Sequence, residues 1–411
     1  MSDRQQQLDA WLEDRHEEAV AFLAELVKVP SDTPPGDNTP HARRAAELLE
    51  ALGFEVGRHE VPAEEVAAAG LRSVTNLVVR QRFGAGPTIA LNAHGDVVPP
   101  GGDWRFPPYG AQIEDGRMYG RGVAVSKSDF ATYAFALAAL RAWHARQPLA
   151  GTIELHLTYD EEIGGELGPG WLLARGVTRP DFAICAGFSY GIVTAHNGCL
   201  QLEATLKGRA AHAGIPHTGI DAVRAAVGVL AEVYAQSTNL SMTRSRTAGI
   251  DSPTLNVGRI EGGLHTNVVP ESALFRIDRR IVPEESPAEV EAGLRQAIEI
   301  AARKHAGITL EMRRLLLAEP LRPLPGQDRL VAALQRHGAR VFGEDIPAVG
   351  VPLYTDARHY AAAGIPVVLY GAGPRTIEEA NAKRADENLV LDDLRRATRV
   401  VANALADLLN P

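Results

Sequence analysis

The sequence predicts an α/β protein: a central mixed sheet flanked by helices, interrupted by a smaller inserted α+β domain. Apolar strands and helices alternate at first, the texture changes near residue 200, and the α/β texture returns after about residue 318. A chain of 411 residues is long enough for two domains of ordinary size. We therefore expect a larger domain of residues 1–198 and 318–411, and an inserted domain of residues 199–317.

The first part of the larger domain has apolar strands separated by helical segments. Trp11, Ala19, Phe22 and Leu26 recur at roughly helical spacing before a proline-rich break. Further helices are expected over about residues 40–52 and over the Ala-rich stretch 128–146. Apolar runs typical of buried strands cover residues 73–80, 87–95, 151–160 and 181–187.

The inserted domain has a β-α-β-β-α-β order. Its two helices open at Asp221 and Ser286, and its strands fall at residues 201–208, 252–260, 272–281 and 308–317. This order indicates an antiparallel sheet covered by two helices. The return segment gives a helix, a strand and a closing helix at residues 328–342, 365–371 and 392–409.

Composition excludes several classes of protein. A formal net charge of −9 argues against a nucleic-acid partner, which normally meets a basic surface. No apolar run reaches the ~20 residues of a membrane span, and the polar start carries no signal core. Two cysteines, Cys185 and Cys199, exclude a disulfide framework. We expect a cytoplasmic protein with no membrane partner.

Two motifs at strand ends carry the chemistry. In the first, His94 is followed by Asp96, so that the carboxylate can hold one ring nitrogen while the other faces a metal or a substrate. In the second, Asp160, Glu161 and Glu162 precede two glycines. Each motif alone has an ordinary interpretation, a hydrogen-bonded loop histidine or a solvated acidic turn. Together they suggest a general base beside a metal ligand.

These motifs resemble the zinc-dependent amidohydrolases that include acetylornithine deacetylase, succinyl-diaminopimelate desuccinylase, aminoacylase and glutamate carboxypeptidase. The resemblance extends along nearly the whole chain through NAHGDVVPPGGDWRFPPYG, MYGRGVAVSKSD, TYDEEIGG, GRAAHAGIPHTGIDAV, GGLHTNVVPESALFRIDRR and YTDARHYAAAGIPVVLYGAG. It implies a hydrolase that cleaves a C–N bond in a small carboxylate-bearing substrate, such as an N-acyl amino acid or a dipeptide.

The resemblance assigns roles by position. His94 and Glu162 correspond to zinc ligands, Asp96 orients His94, and Glu161 is the general base. The inserted domain corresponds to a lid and dimerisation domain. In that domain, His212 corresponds to a histidine that stabilises an oxyanion across the boundary between two subunits. A homodimer is therefore expected.

The same resemblance implies a set of substrate-binding residues. Arg280 and Asn267 would hold a substrate carboxylate, with Arg280 using its planar fork. The backbone from Gly371 to Gly373 would cradle the acid end of the substrate.

Three of the family's five zinc-ligand positions are occupied by residues that cannot serve. The bridging aspartate falls on Val125, with the register held by Lys127. A glutamate falls on Gly187, and the last histidine falls on Lys383. Because catalytic zinc needs three protein ligands, we expect no two-zinc cluster and no bound cofactor. Zinc is the alternative if Asp129 or Cys185 supplies ligands.

New polar residues accompany these changes. Ser126 and Tyr354 are expected to hold substrate by hydrogen bonds, and Lys127 or Lys383 to stabilise the oxyanion with His212. The alternatives are a metal-free enzyme of another type (elimination, cyclisation or imine hydrolysis), a non-catalytic binder of small molecules, and a conventional zinc deacylase with atypical ligands.

Overall fold

A computed structural model describes residues 2–410. The chain divides into two compact units, and it enters the smaller one twice. The larger unit contains the residues up to Thr194, Pro323–Val349 and those from Thr355 onward, whereas the smaller contains Ala195–Arg322 and Gly350–Tyr354. The predicted fold class is confirmed: a large mixed sheet is flanked by helices, and a separate antiparallel sheet is built by the inserted segment.

In the described part of the chain, eight strands form the large sheet, and they follow one another in the order β1-β2-β6-β3-β7-β14-β8-β13. The strands are β1 Val56–Glu60, β2 Thr75–Arg82, β3 Thr88–His94, β6 Thr152–Thr158, β7 Phe182–Cys185, β8 Ile192–His196, β13 Ala348–Val351 and β14 Val367–Leu369. The central strands β6, β3, β7 and β14 run parallel to their neighbours in this group. Their carboxyl ends therefore meet at one edge, where ligands bind in open α/β sheets.

Within residues 2–410, nine α-helices belong to the larger unit. They are α1 Asp3–Glu13, α2 His16–Val27, α3 Thr39–Ala51, α4 Ala63–Ala68, α5 Lys127–His144, α6 Pro169–Ala174, α9 Gln327–Phe342, α10 Ala357–Ala362 and α11 Leu391–Leu408. The Ala-rich α5 is buried along nearly its whole length, because small side chains let it pack between neighbouring helices and the sheet.

The smaller unit has its own core and sheet. Strands β9 Gly198–Lys207, β10 Thr254–Gly262, β11 Ser272–Ile281 and β12 Thr309–Ala318 pair antiparallel in the order β10-β11-β9-β12. Helices α7 Ala222–Leu240 and α8 Pro287–Arg303 pack their apolar residues on it. The short segment Gly350–Tyr354 joins this unit through hydrogen bonds of Gly350 N to the Ala248 carbonyl and of Asn197 N to the Val351 carbonyl.

Sequence periodicity missed some of the connections. The expected first helix is two helices, α1 and α2, because the chain turns at Asp14 and Arg15. A small ribbon, β4 Gln112–Glu114, β5 Arg117–Tyr119 and β15 Asn388–Val390, was also not predicted. These strands are too short for a pattern of alternation. No helix within residues 2–410 has both the length and the apolarity that crossing a membrane requires.

Candidate active site

His94 ends β3 and is held on two sides. Its Nδ1 lies 3.0 Å from the backbone carbonyl of Asp96 and 3.4 Å from Oδ1 of the same residue. The Ser126 hydroxyl accepts from the His94 backbone N–H at 3.0 Å and donates to the His94 carbonyl at 3.1 Å. Ser126 thus fixes the backbone of His94, and Nε2 is left to face the neighbouring acidic residues.

The acidic motif forms the turn Asp160–Gly165, called here the glutamate turn. It follows β6, whose parallel pairing with β3 brings the turn beside His94. The Asp96 carboxylate accepts the backbone N–H groups of Glu161 at 3.3 Å and of Glu162 at 3.0 Å. Oε2 of Glu161 lies 3.8 Å from Nε2 of His94. One buried carboxylate therefore ties the histidine and both glutamates into a single cluster.

Lys383 reaches this cluster from a distant part of the chain. Its Nζ lies 2.6 Å from Oε2 of Glu162, although the two residues are 221 positions apart. The Glu162 side chain is only 5% exposed, whereas that of Lys383 is 53% exposed. A cation therefore stands over a carboxylate that faces inward.

The charges of the cluster shift its pKa values. Burial lowers the pKa of His94, but the Glu161 and Asp96 carboxylates outweigh it and raise the value to about 10. Burial raises the pKa of Glu161, against the attraction of His94. For Lys383, burial lowers the pKa, yet Glu162 and Glu161 raise it above its ordinary value. The cluster favours a protonated histidine and a charged lysine beside two glutamates.

The positions at which the sequence predicts a missing zinc ligand are filled in different ways. Val125 is half-buried and packs against the main core. At Gly187 a Cβ atom would lie 2.7 Å from the Tyr370 backbone nitrogen, so the backbone leaves no room for a side chain. Asp129 accepts from the Ala372 N–H at 2.7 Å, and burial raises its pKa to about 7. Cys185 is a buried free thiol whose pKa burial raises.

Two predicted site features make their hydrogen bonds within the protein. Lys127 is fully buried, and its Nζ donates to the backbone carbonyls of Leu26 at 3.3 Å and Val29 at 3.1 Å. In the Gly371–Gly373 segment, Ala372 N donates to Asp129 and Gly373 N to the Gly187 carbonyl. Neither Lys127 nor this backbone is directed at Glu161 by these bonds.

The smaller unit brings the remaining predicted residues into two pairs. His212 and Asn267 are exposed neighbours, since the Ala213 N–H donates to the Asn267 carbonyl at 3.0 Å. Arg280 donates from Nε to Oδ1 of Asp278 at 2.7 Å, and its guanidinium lies 5.5 Å from the centre of the Tyr354 ring. The guanidinium of Arg280 is therefore oriented by a carboxylate and a ring before any substrate binds.

Sequence reasoning missed the role of α10. Asp356 precedes this helix, is buried, and has its pKa raised by burial and by Glu161. Arg358 and His359 both donate to the carbonyl of Gly164, at the end of the glutamate turn. The motif YTDARHY contains these residues, but nothing in their spacing shows that they pack against a segment almost 200 positions earlier.

One known protein family matches most of the chain. The family model described as peptidase family M20/M25/M40 matches residues 90–407. The chain belongs to this family. It is 31% identical over 407 residues to a succinyl-diaminopimelate desuccinylase of Bordetella petrii, an alignment that covers 95% of this chain and 98% of the relative. The resemblance inferred from the motifs is confirmed, and the protein is a hydrolase of the M20 type that acts on amide bonds.

Solved structures support the fold. Human carnosine dipeptidase 1 matches with a TM-score of 0.78 and 16% identity, covering 99% of both chains. A dinuclear metal-binding peptidase of the M20 family from Bacillus subtilis matches with a TM-score of 0.66 and 16% identity, covering 97% of this chain and 99% of that one. The family favours amide hydrolysis over the elimination, cyclisation, imine hydrolysis and non-catalytic alternatives.

These comparisons correct one prediction. The expectation that the protein has no cofactor is wrong: the chain belongs to a family that includes the dinuclear metal-binding peptidase of Bacillus subtilis, so a metal cofactor is expected. The donors present do not match a two-metal cluster: among residues 2–410, no three His, Cys, Asp or Glu side chains are grouped to hold an ion.

Proposed function

We propose that this M20 hydrolase cleaves the amide bond of a small N-acyl amino acid or dipeptide that carries a free carboxylate. The observation that carries the proposal is the placement of Glu161 beside His94 at the carboxyl edge of the parallel strands. The desuccinylase relative makes N-succinyl amino acids the first substrates to test. The cytoplasm is the proposed location.

In the proposed reaction, Glu161 acts as the general base. Its carboxylate accepts a proton from water, the resulting hydroxide adds to the amide carbon, and the C–N bond then breaks as the amine leaves with a proton. A base whose pKa is raised by burial holds a proton more readily at neutral pH than an exposed glutamate does. Lys383 supplies positive charge next to Glu162, where an oxyanion would be stabilised.

The carboxylate of the substrate is assigned to the smaller unit. Arg280 can offer the rest of its planar fork to a carboxylate, since Asp278 holds its Nε side. Asn267 and His212 lie next to each other on exposed loops and are proposed to contact the substrate and the oxyanion. Ser126 is proposed to help bind the substrate by fixing the His94 backbone, and Tyr354 by holding the Arg280 guanidinium in place.

Val125, Gly187 and Lys383 are proposed to contribute no metal ligand. None of the three side chains offers a lone pair at physiological pH, and the Gly187 backbone has no space for a larger residue. Any metal that binds would then use another set of donors than the five positions of the family.

A homodimer is proposed to form through the smaller unit. Its edge strand β10 and helix α7 leave large apolar side chains exposed, among them Ile260, Val227 and Tyr234. An open strand edge favours pairing with a second copy. Light scattering coupled to size exclusion would test this, and a monomer at micromolar concentration would overturn it.

The experiment for the activity is a hydrolysis screen. N-succinyl and N-acetyl amino acids and dipeptides are incubated with the protein as purified, after chelation, and after loading with Zn²⁺ or Mn²⁺, and the released amine is measured. Glu161→Gln is expected to lower kcat by about 10²- to 10⁴-fold. Glu166→Gln, an exposed glutamate five residues later, is the matched control. Full turnover by Glu161→Gln would overturn the assignment of the base.

A further inference from the structure

The glutamate turn is closed by three backbone hydrogen bonds: Ile163 N and Gly165 N donate to the Asp160 carbonyl, and Gly164 N donates to the Glu161 carbonyl. Only three residues, Glu161–Ile163, form a single 3-10 turn, which ends at Gly164 and Gly165 with φ of 124° and 75°. Those angles are in the region that glycine adopts easily. The backbone bonds fix the shape of the turn, and the groups that pack against it fix where the turn, and with it the Glu161 carboxylate, lies.

Helix α10 holds the far end of the turn. The carbonyl of Gly164 accepts two bonds at once, one from Nη2 of Arg358 and one from Nε2 of His359 at 2.9 Å. Both donors are on buried side chains. Burial and the nearby Arg358 lower the pKa of His359 to about 4, so the imidazole is neutral and Nε2 carries its one N–H.

The helix is itself anchored to the sheet beneath the site. The Tyr360 hydroxyl lies 2.7 Å from Nδ1 of His156, and Nε2 of His156 lies 3.0 Å from Glu154. His156 and Glu154 both belong to β6, the strand that leads into the glutamate turn. The turn is thus bound at one end by its own strand and at the other by a helix locked to that strand.

We propose that Arg358 and His359 are positioning residues for the general base, acting through the Gly164 carbonyl to fix where the Glu161 carboxylate lies. This rests on the proposed function, in which Glu161 accepts the proton from water. The Asp96 carboxylate holds the N–H groups at the start of the turn, and these two side chains hold the carbonyl at its end. If they are lost, the end of the turn loses the two bonds that hold it against α10, and the turn shifts so that Glu161 moves away from His94.

The test compares variants that remove or keep the donor. His359→Leu removes the N–H, whereas His359→Gln keeps one at a similar reach. Arg358→Met removes the second donor. We expect His359→Leu and Arg358→Met each to lower kcat by about 10- to 100-fold with little change in KM, because misplacing a reacting group affects the chemical step. The Gln variant should recover most of the lost kcat.

A matched control separates the ion pair from the positioning bond. The Arg358 guanidinium also pairs with Glu166 at 2.9 Å, and the Glu166 side chain is 67% exposed. Glu166→Gln removes that exposed pair and leaves the bond to Gly164, so its kcat should match that of the parent protein. Thermal unfolding of every variant shows whether an altered kcat comes from a folded protein.

The outcomes distinguish this inference from the proposed function. If Glu161→Gln is inactive while folded His359→Leu and Arg358→Met keep the parent kcat, the positioning role is wrong and the base assignment stands. A fall in kcat that His359→Gln does not relieve also overturns the positioning role. If Glu161→Gln is fully active, the proposed function itself fails.

Discussion

Nζ of Lys383 lies 2.6 Å from Oε2 of Glu162, so an ammonium group occupies the open side of an inward-facing carboxylate. From the sequence, both positions are predicted to correspond to zinc ligands of the family. A lysine and a divalent cation cannot share one carboxylate without repulsion. Lys383 therefore competes with any metal ion that approaches Glu162.

Removing this ammonium should strengthen metal binding. We expect Lys383→Ala to bind Zn²⁺ about tenfold or more tightly than the parent protein, because one unit of positive charge leaves the neighbourhood of Glu162. Isothermal titration calorimetry with Zn²⁺ measures this directly. Lys304→Ala removes an exposed lysine that pairs with Glu232 and serves as the control. Equal affinities in all three proteins would contradict the competition.

Breaking the buried ion pair of Arg121 and Glu387 is expected to lower the free energy of unfolding strongly. Both side chains are almost fully buried, Nη1 and Oε2 are 2.6 Å apart, and the Ala124 N–H donates to the other oxygen of Glu387. Arg121→Met should lower the free energy of unfolding by about 3–5 kcal/mol, since it leaves a buried carboxylate uncompensated.

Urea denaturation measures the cost of this change. The double variant Arg121→Met with Glu387→Met should recover part of the loss, because both charges are then absent. If the double variant is less stable than the single one, the penalty does not come from an unpaired charge.

Lys127 should make stability depend on pH. Burial lowers its pKa to about 7, from an ordinary value of 10.5. Between these two values the unfolded chain binds a proton that the folded protein does not, so the stability of the parent protein rises with pH. The expected slope is about 1.4 kcal/mol per pH unit between pH 7 and 9, relative to a variant without this amine.

Lys127→Met supplies that comparison. The variant also loses two bonds to backbone carbonyls, a penalty that does not vary with pH, so the informative quantity is the difference in slope. Urea unfolding at pH 7, 8 and 9 measures it, with Lys304→Met as the exposed control. Parallel curves for the parent protein and Lys127→Met would show that Lys127 is charged in the folded state.

Gly187 should tolerate no side chain. A Cβ atom there would approach the Tyr370 nitrogen to 2.7 Å and the Leu369 carbonyl carbon to 2.8 Å. Gly187→Ala is expected to destabilise the protein by about 1–3 kcal/mol, because the backbone that follows β14 must move. Gly191→Ala is the matched control, since its Cβ would meet nothing closer than 3.4 Å. A melting temperature for Gly187→Ala equal to that of the control would contradict this packing.

The order of the longer strands and helices could be predicted from the sequence, because apolar runs and helical spacing are local properties, whereas the short strands β1, β8 and β13 were not predicted. The pairing of β3 with β6 then places His94 and Glu161 together by the general rule for parallel strands. The contact of Lys383 with Glu162 could be predicted only from the resemblance, because both residues align with zinc-ligand positions of the family. The hydrogen bond from the Ala372 N–H to Asp129 and the bond from His359 of α10 to the Gly164 carbonyl depend on packing between distant segments. One sequence does not reveal such packing.

The smaller unit is completed by a strap, the segment Gly350–Tyr354, which is synthesised only after Pro323–Val349. Tyr354 at the end of this strap supplies the ring beside the Arg280 guanidinium. Until those five residues emerge, a nascent chain holds the Arg280 strand without its aromatic neighbour. The contact between the Arg280 guanidinium and the Tyr354 ring therefore forms late in biosynthesis. An excised fragment of Ala195–Arg322 would lack this contact permanently.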